Sequence, residues 1–151
     1  MLHHLFSENE CGKLLQSAES FGYGATNYPK EYRGNLRLIT TDKSLAKKIY
    51  DRILPFIPQS ILLEDEEWIP CGLNECWRLS KYFEKDCFQR HCDTNYVKNQ
   101  NEQSLITVNA YMNSEFIGGR TRFYEENKEI ASIKGETGDC LLFLQPPVAE
   151  I

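Results

Sequence analysis

Within the 151 residues, His91-Cys92-Asp93 is the most pointed arrangement of side chains able to do chemistry. On an extended strand, residues two apart project to the same side, so this spacing makes an imidazole and a carboxylate converge. Such a pair forms two thirds of the 2-His-1-carboxylate set that binds Fe(II) and leaves coordination positions open. The same spacing also arises as two polar residues on a wet surface, and the pair alone leaves both readings open.

The elements that must position this pair follow from periodicity. Ser7 and Glu10 form a capping box ahead of an apolar stripe of Leu14, Leu15, Ala18 and Phe21, which predicts a helix over Ser7–Phe21 closed by Gly22 and Gly24. Asp42 caps a second predicted helix, to Leu54, with Pro55 ending it. From residue 75 the period falls to two. Strands are predicted over Glu75–Tyr82, Phe88–Asp93, Ser104–Met112, Thr121–Tyr124 and Asp139–Leu144, with turns at Gly118-Gly119 and Gly135–Gly138. Asn95–Gln103 reads as a polar loop, able to serve as a lid. In the strand from Leu105 to Asn113, Thr107, Asn109 and Tyr111 share one face, opposite Ile106, Val108, Ala110 and Met112. That polar face suits either a pocket wall or a solvent face. Helices followed by a run of strands imply an α+β domain with a jelly-roll or barrel sheet. The expected organisation is one domain over residues 1–151, helical to about residue 70 and jelly-roll beyond.

The surrounding segments narrow the choice. RLSKYFEKDCFQRHCDT is followed in order by SLITVNAYMN, GGRTRFYEE and GDCLLFLQ. This set resembles the catalytic domain of prolyl 4-hydroxylase-like, 2-oxoglutarate- and Fe(II)-dependent oxygenases, over roughly residues 75–145. The resemblance implies a double-stranded β-helix (a cupin-like jelly roll) preceded by N-terminal helices. It implies His91 and Asp93 as iron ligands, and Tyr111, Tyr82 and Thr107 as residues contacting 2-oxoglutarate or the pocket around it. Gly118, Gly119, Thr121 and Phe123 match a structural turn and strand. The implied reaction is hydroxylation of a peptidyl proline or related substrate, with release of succinate and CO2. L-ascorbate is the implied helper that keeps iron reduced, and a protein or peptide substrate the implied partner.

The family also carries a second iron-binding His and, about ten residues later, a Lys or Arg that grips 2-oxoglutarate. This sequence has three histidines, His3, His4 and His91, and stops at LQPPVAEI. The expectation is therefore a truncated product lacking its closing strands, with impaired activity. His3 and His4 are expected in a mobile terminus.

Composition excludes other classes. Hydrophobic residues make up 41% and charged residues 26%, ordinary for a folded domain that buries a core. Seventeen basic against 22 acidic residues, net −5, disfavours nucleic acid as a partner. No apolar run is long enough to span a bilayer, and MLHHLFSENECGKLL does not read as a secretory signal. The expected compartment is the cytoplasm, with free thiols. Cys71, Cys76, Cys87 and Cys92 leave open a zinc-stabilised interaction domain. A third alternative is a jelly-roll binding module without chemistry. Substrate identity and oligomeric state are not legible.

Overall fold

A computed structural model describes residues 1–146 and 148; the expected domain end at residue 151 lies outside them. The capping box forms as expected. The Glu10 N–H donates to Ser7 Oγ at 3.2 Å, and the Ser7 N–H to Glu10 Oε2 at 3.0 Å. Helix α1 then runs over Glu8–Phe21. Asp42 Oδ1 accepts the Leu45 N–H at 2.8 Å and opens α2, Lys43–Ile53, which continues into a 3-10 turn at Leu54–Phe56.

Among the described residues there are ten short strands: β1 Leu36–Thr41, β2 Ile61–Leu63, β3 Glu66–Trp68, β4 Cys76–Lys81, β5 Val97–Asn99, β6 Glu102–Gln103, β7 Ile106–Ala110, β8 Thr121–Glu125, β9 Lys128–Ile133 and β10 Cys140–Leu144. They form two-stranded sheets: β1 with β4, β2 with β3, β5 with β6, β8 with β9, and β7 with β10. The protein is thus a mixed helix and strand structure with small antiparallel sheets. Three strands fall within the first seventy residues, where helices alone were expected. The expected loop Asn95–Gln103 is largely the hairpin β5–β6.

The chain divides into two compact units, Met1–Ser20 with Val108–Leu142, and Phe21–Thr107 with the segment from Phe143. Neither follows the sequence boundary near residue 70, because α1 groups with strands from the C-terminal half. In the first unit Phe6, Cys11, Ala18, Cys140 and Leu141 are buried. In the second the buried apolar side chains are Ala46, Ile49 and Ile53 of α2, with Leu63 and Leu105. The Ala46-Ile49-Ile53 spacing is the apolar stripe of α2. Among the described residues no helix is long and apolar enough to cross a membrane.

Candidate functional site

The segment carrying His91 and Asp93 is not the strand its pattern suggests. Pairing is confined to a single bridge, Arg33 with Phe88, where the Gly34 N–H donates to the Cys87 carbonyl and the Gln89 N–H to the Tyr32 carbonyl. Beyond Gln89 the backbone is irregular. The two side chains nevertheless converge, with His91 Nε2 3.4 Å from Asp93 Oδ1. Local fastening replaces strand geometry as the cause.

Each partner is held from behind. The His91 ring stacks on Phe88 with centroids 3.7 Å apart and planes at 19°. Its Nδ1 lies 2.7 Å from the Gln89 carbonyl. A carbonyl oxygen only accepts, so Nδ1 carries a proton, and Nε2 is the ring atom that faces Asp93. Asp93 is oriented by a relay in which every group donates onward. The Tyr96 N–H donates to Ser104 Oγ at 2.8 Å, and Ser104 Oγ to Gln145 Oε1 at 2.8 Å. Gln145 Nε2 donates to Thr107 Oγ1 at 2.8 Å, and Thr107 Oγ1 to Asp93 Oδ2 at 2.7 Å. Gln145 is buried, and its amide finds its partners within this relay.

The outcome is an imidazole nitrogen, Nε2, and a carboxylate oxygen, Oδ1, facing each other across 3.4 Å. Such a pair is stable only with a proton or a cation between them. Both side chains keep about a third of their surface accessible, 31% and 30%, so a solvated ion can reach them. The donor types suit Fe(II), and anchoring of the remote ring nitrogen and carboxylate oxygen is the support that metal ligands require. Two protein donors are brought together. Among the described residues no group of three or more His, Cys, Asp or Glu side chains is arranged to hold a metal.

The other expected site residues each have their own contacts. Thr107 joins the pair, as the hydrogen-bond donor that fixes Asp93. Tyr82 lies in the same compact unit, half exposed just after β4. Desolvation raises its phenol above the ordinary value, against the lowering influence of Arg33 and Arg37. Tyr111 belongs to the other unit, where its hydroxyl lies 2.7 Å from Thr121 Oγ1 and its ring fills the space beside Gly135. Burial raises its phenol, while the Thr121 bond lowers it. Ser104 and Gln145 were not singled out from the sequence, although one amide closing the apolar run LLFLQ is the kind of residue that must find buried partners.

The N-terminal histidines need correction: they are fastened, not mobile. The Leu2 and Cys140 backbones exchange hydrogen bonds of 2.7 and 2.8 Å. The His4 N–H donates to Asp139 Oδ1, and His3 Nδ1 lies 3.1 Å from Asp139 Oδ2. Desolvation pushes the buried Asp139 carboxyl up, but bonds from the Glu136 N–H, the His4 N–H and His3 outweigh it and hold the group below its ordinary 3.8. A carboxyl depressed by folding stabilises the fold above its unfolded value, and that contribution is lost as pH falls through the folded value. Urea midpoints measured from about pH 5 to about pH 2.5 should therefore fall below about pH 4. They should fall less in Asp139→Asn; equal slopes would mean that another group governs acid unfolding.

The cysteines are all free thiols, and Cys71, Cys76, Cys87 and Cys92 do not gather into a metal site. Compared with family models, curated proteins and solved structures, the chain matches none.

Proposed function

We propose that the chain carries a prolyl 4-hydroxylase-like, Fe(II)- and 2-oxoglutarate-dependent oxygenase site on a jelly-roll framework, acting on a peptidyl proline or related substrate. The observation that carries this reading is the facing pair, His91 Nε2 and Asp93 Oδ1, each locked from its remote side. His91 and Asp93 would hold the iron. Bound Fe(II) would supply the redox chemistry that couples 2-oxoglutarate and O2 to succinate, CO2 and a hydroxylated substrate carbon, with ascorbate keeping the metal reduced. The protein's own part is mechanical and electrostatic. Gln89 fixes the tautomer that leaves Nε2 free to ligate. Thr107 occupies Oδ2 of Asp93, so Oδ1 is the oxygen left to meet a cation. Phe88 shields one face of the imidazole.

A non-catalytic binding module is the second reading. It is favoured by the same two atoms, because a protonated His91 closes the pair as an ion pair with no metal.

Anaerobic titration with Fe(II), and with Co(II) as a spectroscopic substitute, separates the two. The oxygenase reading expects saturable binding, followed by succinate release that requires both iron and 2-oxoglutarate. Binding no stronger than that of a His91→Ala, Asp93→Ala double variant would refute it. A finer test addresses the relay. Thr107→Val keeps the shape of the side chain and removes the bond to Asp93, so Co(II) affinity should fall about 10–100-fold. Unchanged affinity would show that the relay holds the fold and not the ligand.

A further inference from the structure

A second cluster of charge lies on the β1–β4 ribbon and involves none of the atoms of the proposed metal pair. The register places Arg37 opposite Ser80 and Ile39 opposite Arg78. These four side chains therefore share one face, with Arg37 and Arg78 on a diagonal about 7–8 Å long. The face is open: Ile39 is 58% exposed, and Arg78 and Ser80 are exposed as well.

Three features make this face unusual in a chain of net charge −5. First, among the described residues no carboxylate pairs with Arg37 or Arg78, although acidic residues outnumber basic ones. Second, Arg37 Nε is buried and finds no acceptor among the described residues. A buried donor without a partner costs about 1–3 kcal/mol, so it calls for an explanation. Third, the positive charges crowd one another. The Arg37 guanidinium is held below its ordinary value first by burial and then by Arg33 and Arg78. Arg33 itself is engaged, donating to Asn35 Oδ1 at 3.1 Å and lying 4.1 Å from the centre of the Phe88 ring.

We propose that this ribbon face is a docking surface for an acidic extended peptide segment, whose carboxylates are taken by Arg37 and Arg78. Guanidinium forks match carboxylates in a bidentate way, and each such contact relieves the like-charge crowding. Carboxylates on alternate residues of an extended segment project to one side, as the two arginines do. Ile39, exposed between them, offers an apolar seat for the stem of an acidic side chain. The exposure of Ile39, Arg78 and Ser80 along the ribbon suits an extended peptide better than a free dicarboxylate, which small-molecule sites enclose. With a net charge of −5 the chain as a whole repels such a segment, so attraction must come from a local cluster of cations such as this one.

The test uses the full chain and a blocked peptide of alternating glutamate and alanine, followed by NMR of the arginine Nε–H groups. The expected result is a saturable shift of the Arg37 signal that weakens as salt is added. Arg78→Gln, a change at an exposed position, should lower affinity about tenfold. Arg37→Gln should do the same. Lys47→Gln, which removes an exposed cation paired with Asp51 on α2, should leave it unchanged. The proposal is overturned if the glutamine counterpart of the peptide binds equally, if succinate binds as tightly as the peptide, or if Lys47→Gln weakens binding as much as Arg78→Gln. All of these readouts are taken without metal, so they stand or fall apart from the oxygenase reading.

Discussion

His91→Ala should lose more than about 100-fold in Fe(II) or Co(II) affinity, and with it any iron-dependent succinate release. The size of the effect follows from the number of donors. A site built on two protein groups cannot give up one and retain a chelate, whereas loss of a supporting hydrogen bond leaves both donors present. Removing the ring also removes its contact with Phe88, worth about 0.5–1.5 kcal/mol. That is small beside an ordinary stability of about 5–15 kcal/mol, so the variant should stay folded. Asp93→Asn is the complementary change: it keeps the size of the side chain but replaces the anionic ligand with a neutral amide, and it should lose metal to a similar degree. Cys92→Ala is the control. Cys92 is exposed between the two proposed ligands, so its loss should alter affinity by less than about twofold. The experiment discriminates by its pattern. Equal losses at positions 91, 92 and 93 would mean that the segment as a whole is disturbed and that no two atoms of it form a site.

Expectation and structure part company for reasons that can be located in particular residues. Both helices were legible because their caps are local. Ser7 with Glu10, and Asp42 with the Leu45 N–H, complete their bonds within three residues. Strands β4, β7, β8 and β10 were legible from alternation. The hairpins β2–β3 and β8–β9 were not recognised because their turns lack glycine. Glu64-Asp65 and Glu126-Asn127 take positive φ at both central positions, 52° and 64°, then 44° and 69°. That is the left-handed turn usually marked by Asn-Gly or Asp-Gly. Strand β1 escaped because its exposure does not alternate: its first three residues are half-buried and its last three exposed.

The site shows the same limit more sharply. Convergence of His91 and Asp93 was legible in their spacing, but the strand assumed to cause it is absent. What aims the two side chains is a ring stack, one backbone carbonyl and a relay that reaches Gln145, 38 residues from Thr107. No local pattern encodes a hydrogen bond across that interval. Thr107 was placed on the correct face of its strand, yet its hydroxyl serves Asp93. Tyr111 was tied to the site by the family resemblance, and its hydroxyl partner in the structure is Thr121.

Gly138→Ala should be the most destabilising single substitution of a small residue in the first compact unit, by about 3 kcal/mol or more. Two effects combine at this position. Its φ is +89°, a region in which a side chain costs about 1–2 kcal/mol. A Cβ there would also run into the Phe6 carbonyl oxygen, a backbone atom with little freedom to yield. Phe6 is buried, and its N–H donates to the Gly138 carbonyl at 3.0 Å, while the Gly138 N–H donates to the Tyr111 carbonyl at 2.8 Å. Relieving the clash therefore means lifting the N-terminal segment away from the turn before β10. That exposes the Phe6 side chain, about 1.5–3 kcal/mol of burial, and breaks the bonds that tie residues 2–6 down. Gly118→Ala separates the two effects. Gly118 has nearly the same φ, +85°, with nothing within 4 Å of the added carbon, so it should show the conformational cost alone, about 1–2 kcal/mol. Urea unfolding of the two variants side by side measures the difference, which is the contribution of the fastened N-terminus. Equal losses would mean that residues 2–6 detach freely and that the contacts of His3 and His4 with Asp139 do not bear on stability.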